Sequence, residues 1–152
     1  MKSKSAEQDD RPKPLSECVS RQMRQSRETD TVPELAVRKI LYAAGIRYRI
    51  HFRISFIPRR SIDIAFPKAK VAVFIDGCFW HGCTLHKTIP KNNRAWWSKK
   101  ITANRARDFD TNEKLKAAGW LVMRFWEHQP PASVAQTITD ELWQRRAVHS
   151  KE

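Results

Sequence analysis

The chain has 152 residues, enough for one compact domain that buries about two thirds of the surface its unfolded form would expose, and too few for two independent cores. Twenty-nine Lys and Arg against sixteen Asp and Glu give a formal charge of +13, which favours a polyanionic partner such as nucleic acid over an acidic small molecule. No stretch has the apolar length of a membrane span, no secretory signal precedes the fold and no helix joins a basic face to an exposed apolar one, so a soluble intracellular protein is expected.

Residues 1–14 (MKSKSAEQDDRPKP) are polar and without apolar periodicity, which predicts a disordered lead-in. LSECVSRQMRQS follows as a short basic helix carrying Leu15, Val19 and Met23, a stripe small enough that it orders mainly on binding something. Thr31-Val-Pro-Glu34 is a capping box with Pro in the first helical turn. Leu35, Ile40, Leu41 and Ala44 then give a helical face, closed by Gly45. IRYRIHF alternates as a half-buried strand ending near Phe52. SIDIAF and KVAVFID are β-branched runs parted by Pro67-Lys-Ala and read as two strands, the second buried on both faces.

WSKKITANRARDFDTNEKLKAAG has no internal Pro or Gly and predicts a long helix with Ile101, Phe109 and Leu115 toward the core, stopped at Gly119. WLVMRFW is another buried strand. After Pro130-Pro131, SVAQTITDELWQRR repeats Val134, Ile138 and Leu142 every four residues as a closing amphipathic helix. The expected architecture is an α/β sandwich around one mixed sheet, with 15–148 as a single domain and 149–152 as a tail.

Cys18, Cys78 and Cys83 are odd in number and two stand close together, which points to metal ligation in preference to a disulfide framework. In FIDGCFWHGCTLH, Cys78, Cys83 and His86 can wrap a tetrahedral zinc, but a closed structural site needs a fourth ligand. His81 is near in sequence. His128, after the strand WLVMRFW, arrives beside the loop if that strand lies next to KVAVFID. Cys78, Cys83, His86 and His128 are the preferred set, leaving His81 free; small buried thiols beside surface histidines are the plainer alternative.

Asp63 interrupts an apolar strand and Asp76 ends the next one, and a bare carboxylate among core positions is costly unless it is paired or holds a cation. Together they make an oxygen site suited to Mg²⁺, with Arg59 and Arg60 close enough in sequence to hold a phosphate. An outward-facing Asp63 on an edge strand is the competing reading. Asp108 alone reads as a helical charge partner, and Glu34 as the capping-box carboxylate. Phe79-Trp80 and Trp96-Trp97 sit among Gly, Asn, Lys and Arg, where rings serve to wedge between base steps or stack on bases. Phe79 and Trp80 are the better wedge candidates, while Trp120, Trp126 and Trp143 read as core.

VFIDGCFWHGC with its following His, then WWSKKITANRARD, AGW and RFWEH, together resemble the very-short-patch repair (Vsr) family of DNA mismatch endonucleases. The likeness extends upstream through SRQMRQS and TVPELAVRKILYAAGIRYR, covering about residues 18–130 in order. The resemblance implies a restriction-endonuclease-like fold and a Mg²⁺-dependent hydrolase that nicks one strand beside the thymine of a T:G mismatch, the product of 5-methylcytosine deamination. It implies Asp63 as the Mg²⁺ ligand, His81 as the catalytic histidine and Asp108 as the aspartate orienting it, with Glu34 near the active site. Asp76 falls where some members carry His and others Asp. Cys78, Cys83, His86 and His128 match the structural zinc ligands; Phe79, Trp80 and Trp97 match the aromatics that enter the DNA; and Met23, with Arg24 beside it in the basic helix at 15–30, matches the segment that approaches the duplex from the minor groove. RRSID stands where many relatives have GRPD, and TLH where they have P-x-H; neither change removes a charge or a ligand.

The resemblance further implies a monomer acting on mismatched double-stranded DNA in the bacterial cytoplasm, at the nucleoid, with helper repair proteins left open. Two rivals remain at this stage: a sequence-specific nicking endonuclease indifferent to mismatches, and a zinc-containing DNA-binding module without catalysis. RNA binding is disfavoured, because no common RNA-binding signature is present.

Overall fold

A computed structural model of the chain describes residues 30–86 and 89–149. The lead-in, the basic helix with Cys18, Met23 and Arg24, and the residues from 150 onward lie outside the described residues. The elements in order are α1 (Val32–Ala43), β1 (Arg49–Arg53), β2 (Ser61–Phe66), β3 (Val71–Asp76), α2 (Arg94–Ala117), β4 (Leu121–Trp126) and α3 (Pro131–His149). The strands form one mixed sheet in the order β1-β2-β3-β4: β1 and β2, and β2 and β3, pair antiparallel, whereas β3 and β4 run parallel. A hairpin needs only a short turn, but a parallel neighbour requires a crossover, and α2 provides it. Among the described residues no helix is long and apolar enough to cross a membrane.

Side-chain alternation along β3 builds two cores. Val71, Val73 and Ile75 pack with Val37 and Leu41 of α1 and Val134 and Ile138 of α3; Ala72 and Phe74 pack with Ile54, Ile57 and Leu115 on the other face. β3 is buried along its whole length, as its composition predicts. β4 is a correction: it lies at the sheet edge and is half-buried throughout. Along β2 the alternation breaks. Ile62 and Ile64, two residues apart, enter opposite cores, and Asp63 stands at the break between them. His51, between the paired positions Ile50 and Phe52 of β1, has φ 47° at the same level.

The helices hold the remaining corrections. In α1 the Thr31 hydroxyl accepts from Glu34 N at 3.4 Å as a cap, but the buried face is Glu34, Val37, Arg38 and Leu41. Leu35 and Ile40 are exposed, at 40% and 38%, and Ala44 is exposed as well. In α2 the expected core residue Phe109 is 67% exposed. The inward stripe is Trp97, Ile101, Asn104, Asp108, Thr111 and Leu115, spaced alternately by four and three as one helix face requires, and Phe109 lies about 100° around from it. Half of that stripe is polar, which is why hydrophobic periodicity misplaces it. On α3, Trp143 is exposed, while Trp120 and Trp126 are half-buried.

Candidate active site and metal centre

The parallel pairing of β3 with β4 sets Asp76 opposite Trp126, so both strands end at one edge and the loop after each begins there. Glu127 joins the two loops: its N–H donates to the carbonyl of Asp76 at 2.9 Å, and its Oε1 accepts from the N–H of Cys78 at 2.9 Å. His128 therefore arrives beside the cysteines. Its Nδ1 is 3.1 Å from Cys78 Sγ and 3.8 Å from Cys83 Sγ, and Nδ1 of His86 is 3.8 Å from each sulfur. All four ligand atoms lie within 4.8 Å of one another. Sulfur and nitrogen carried on tetrahedral arms of about 2.3 and 2.0 Å stand about 3.5 Å apart, so the donor set fits a tetrahedral ion. Burial, followed by the neighbouring Cys83, pushes the Cys78 thiol up to about 11.

The loop between these ligands is pressed onto α2. Gly82 has φ 67°, and a Cβ there would lie 2.9 Å from the side chain of Ile101. Asn104 donates to the carbonyl of Trp80 at 3.0 Å. Phe79, Trp80 and Trp97 meet as one ring cluster with centroids 5.2 to 5.8 Å apart, and Trp96 lies 4.8 Å from Trp97. Phe79 and Trp80 are half-buried, whereas Trp97 is only 7% exposed and forms the base on which the other two rest.

Beside this cluster a cleft of about 530 Å³ is lined by Glu34, Asp63, Asp76, His81, Asp108 and Arg124 among others. Asp63 lies on an interior strand, which removes the edge-strand reading. Its Oδ2 accepts the Ile75 N–H at 2.9 Å, yet burial together with the charges of Glu34 and Asp76 raises its carboxyl to about 7. A carboxylate so placed fits a hard divalent cation, which would replace the missing positive charge. Burial raises Asp76 and Glu34 as well; in Asp76 the opposing influences are Arg124 and His81.

His81 Nδ1 is hydrogen-bonded to Oδ2 of Asp108 and lies 3.9 Å from Asp76 Oδ1. Burial works against the imidazolium, but the Asp108 bond and the Asp76 charge outweigh it and hold the His81 pKa above its ordinary value. Asp108 is thus paired across the fold and not with a helical neighbour. Arg60 lines the cleft with Asp63, and its Nη1 also donates to Asp110 at 2.6 Å and to Thr111 at 2.8 Å, which pins the β1–β2 loop to α2. Arg59 lines the cleft, as do Lys100 and Arg107.

The model of the DNA mismatch endonuclease Vsr family matches residues 16–87. A type II nicking enzyme, V.NaeI of Lentzea aerocolonigenes, is 42% identical over 133 residues, covering 86% of this chain and 80% of the relative. The chain belongs to the Vsr family. Two further relatives, V.XorIIP of Xanthomonas oryzae pv. oryzae and V.NmeDIP of Neisseria meningitidis serogroup C, both type II nicking enzymes, are each 42% identical, over 107 and 108 residues, covering 69% and 70% of this chain and 76% and 71% of the relatives.

Within this Vsr-family fold the described candidates fall into three adjoining groups: the Cys/His ligand cluster, the ring cluster and the carboxylate–imidazole cleft. Sequence reasoning missed the residues that tie them together, namely Arg124, Asn112, Glu127 and Asn104. Arg124 did leave a signal, as a cation within the apolar run WLVMRFW. Asn112, Glu127 and Asn104 left none, because a single polar residue on a helix or after a strand is ordinary.

Proposed function

We propose that this protein is a Mg²⁺-dependent DNA endonuclease that nicks one strand of a duplex beside the thymine of a T:G mismatch, in a restriction-endonuclease-like domain spanning about residues 15–148. The observation that carries this reading is the adjacency of the Asp63 cleft to the ring cluster through the one loop that also bears Cys78, Cys83 and His86, with His81 following Trp80 directly.

The net charge of +13 gathers phosphates, so affinity falls steeply with salt. Cys78, Cys83, His86 and His128 would hold a Zn²⁺ ion, which would supply a structural cross-link for the loop, and from that loop Phe79 and Trp80 enter the base stack. That entry costs a few kcal/mol, and less where pairing is already imperfect, which is the source of mismatch preference. Asp63 holds Mg²⁺, which when bound polarises the scissile phosphate and lowers the pKa of its water. Asp108 binds Nδ1 of His81 and thereby leaves Nε2 for proton exchange at the phosphate, with Asp76 and Glu34 shaping the field of the cleft. The product is a nick with a 5′-phosphate and a 3′-hydroxyl. Met23 and Arg24 are assigned to the DNA-contacting segment at 15–30.

A Mg²⁺-dependent nicking screen over matched and T:G duplexes in varied flanking sequence tests the proposal: nicking of the thymine strand in mismatched duplexes alone is expected, and comparable rates on matched duplexes overturn the mismatch preference. The second reading, sequence-specific nicking indifferent to mismatches, draws support from the relatives' description as type II nicking enzymes.

A further inference from the structure

β4 carries Arg124 between Met123 and Phe125, and the side chain reaches the cleft, where it is 19% exposed. Its guanidinium is fixed from several sides. Nη1 donates to Asp76 Oδ1 at 2.8 Å and Oδ2 at 3.1 Å and stands 3.6 Å from Asp108 Oδ1. Nε donates to Asn112 Oδ1 at 2.7 Å, and the guanidinium carbon lies 4.2 Å over the Phe74 ring. A planar fork held on its edge and on its face is pre-organised in a way that a lysine ammonium is not.

Asp76, His81 and Asp108 bring their ligand atoms within 4.8 Å of one another, a spacing that also suits a metal ion. The guanidinium already stands among these atoms. A divalent cation there would meet its charge in a partly buried cleft, and Asp76 would have to give up two charge-assisted hydrogen bonds to become a ligand. Asp63 is different: among the described residues its hydrogen bond comes from the Ile75 N–H, and the charge of Arg124 acts on it without an ion pair, favouring the ionised form by less than burial opposes it. The cleft thus contains one carboxylate without a hydrogen-bonded cation and one cluster that has its own.

We propose that Arg124 is a positioning residue: it closes the Asp76–His81–Asp108 cluster to metal, fixes Asp76 and Asp108 around the imidazole, and so confines the divalent cation of the cleft to Asp63. The proposal rests on reading the cleft as a metal-dependent nuclease site. Asp76 then serves catalysis by anchoring Arg124 and not as a metal ligand.

Mn²⁺ titration of the full chain with the Cys/His site loaded with Zn²⁺, followed by calorimetry and by the paramagnetic signal of free ion, tests this directly. The parent chain takes up Mn²⁺ in the cleft, and Asp63→Asn loses it. Asp76→Asn binds within about threefold of the parent, whereas Arg124→Met, with the cluster freed, binds about tenfold more tightly or takes up an additional ion while kcat for nicking falls. The double variant Asp63→Asn/Arg124→Met recovers an ion that Asp63→Asn does not hold, and Arg124→Lys, which keeps the charge, binds as the parent does. Loss of Mn²⁺ from Asp76→Asn, or parental affinity and stoichiometry in folded Arg124→Met, overturns the proposal; if Arg124→Met does not fold, Asp76→Asn and Arg124→Lys decide it. A parent chain that takes up no Mn²⁺ in the cleft removes the metal-dependent reading itself, and the proposal with it.

Discussion

Asp63 on β2 is tied across the sheet to Ile75 on β3, whose main-chain N–H it accepts at 2.9 Å. That bond favours the ionised carboxyl, but burial and the charges of Glu34 and Asp76 prevail and raise its pKa from 3.8 to about 7. A carboxyl that binds its proton more tightly when folded than when unfolded lowers stability as pH rises through the interval between the two values. In metal-free protein this loss begins near pH 4 and is complete above about pH 7, with an upper size on the order of 4 kcal/mol. Asn keeps an acceptor for Ile75 and removes the charge. Asp63→Asn is therefore expected to melt higher than the parent at pH 8 in chelator and close to it at pH 4, and Mg²⁺ should raise the parent's melting temperature at pH 8 without affecting the variant. Equal pH profiles for the two proteins would count against the buried charge.

The candidate metal cluster joins segments that are far apart in sequence, since Cys78, Cys83 and His86 come from one loop and His128 from the other. With an ion held there, removing one ligand would release it and free the loop. Cys83→Ser is expected to lose the zinc and to destabilise the fold by roughly 3 kcal/mol or more. His81→Ala should retain the full zinc content. Metal content by emission spectroscopy, alongside thermal melts, separates the two; zinc loss from His81→Ala would mean that the ligand set is wrongly drawn.

Asp108 acts on His81 through Nδ1, so replacing its carboxylate with an amide perturbs the tautomer and orientation of the imidazole more than the shape of the cleft. Asp108→Asn is expected to lower kcat by about 10² to 10⁴ with DNA affinity nearly unchanged. Residues that act as a unit are not additive, so adding Asp108→Asn to His81→Ala should cost little beyond His81→Ala alone. Single-turnover nicking rates measure both, and full additivity would separate the two residues functionally.

The three rings differ in burial, and their variants should differ accordingly. Trp97 is buried against Phe79, Trp80 and Trp96, so Trp97→Ala is expected to cost about 3 kcal/mol or more of stability. Trp80 is half-exposed at the end of the clamped loop, and Trp80→Ala should lose about 1–3 kcal/mol of DNA affinity with only a minor change in melting temperature. Fluorescence of 2-aminopurine placed beside a mismatch reports the insertion. If Trp80→Ala unstacks the base as the parent does, the wedge is some other residue.

Much of this protein was legible without coordinates. Strands β2 and β3, the Thr31 N-cap, the Gly45 and Gly119 helix stops and the grouping of Cys78, Cys83 and His86 follow from local composition and spacing, because capping, β-branching and ligand spacing within one loop are short-range chemistry, whereas the Glu34 carboxylate expected to close the capping box accepts from Asp30 N–H and Arg38 instead. The position of His128 was legible only on the condition that the last strand lies beside β3, a condition that the parallel pairing of β3 with β4 meets. The inner face of α2 did not, since half of its stripe is polar and Phe109, the apolar residue in its middle, points to solvent.

The sequence by itself determined which residue types are available for chemistry: two thiols, their histidines, a carboxylate inside an apolar strand and an excess of positive charge. Only the tertiary structure decided how they are shared out. It gave Arg60, at the wall of the cleft, the further task of pinning its loop against Asp110, moved Asp108 from a helical charge pair to His81, and set Arg124 between Asp76 and Asp108. Each of these choices depends on which strand end lies beside which helix face, and a charge meets its partner across distances of 12 to 50 residues in the chain, where no local pattern operates.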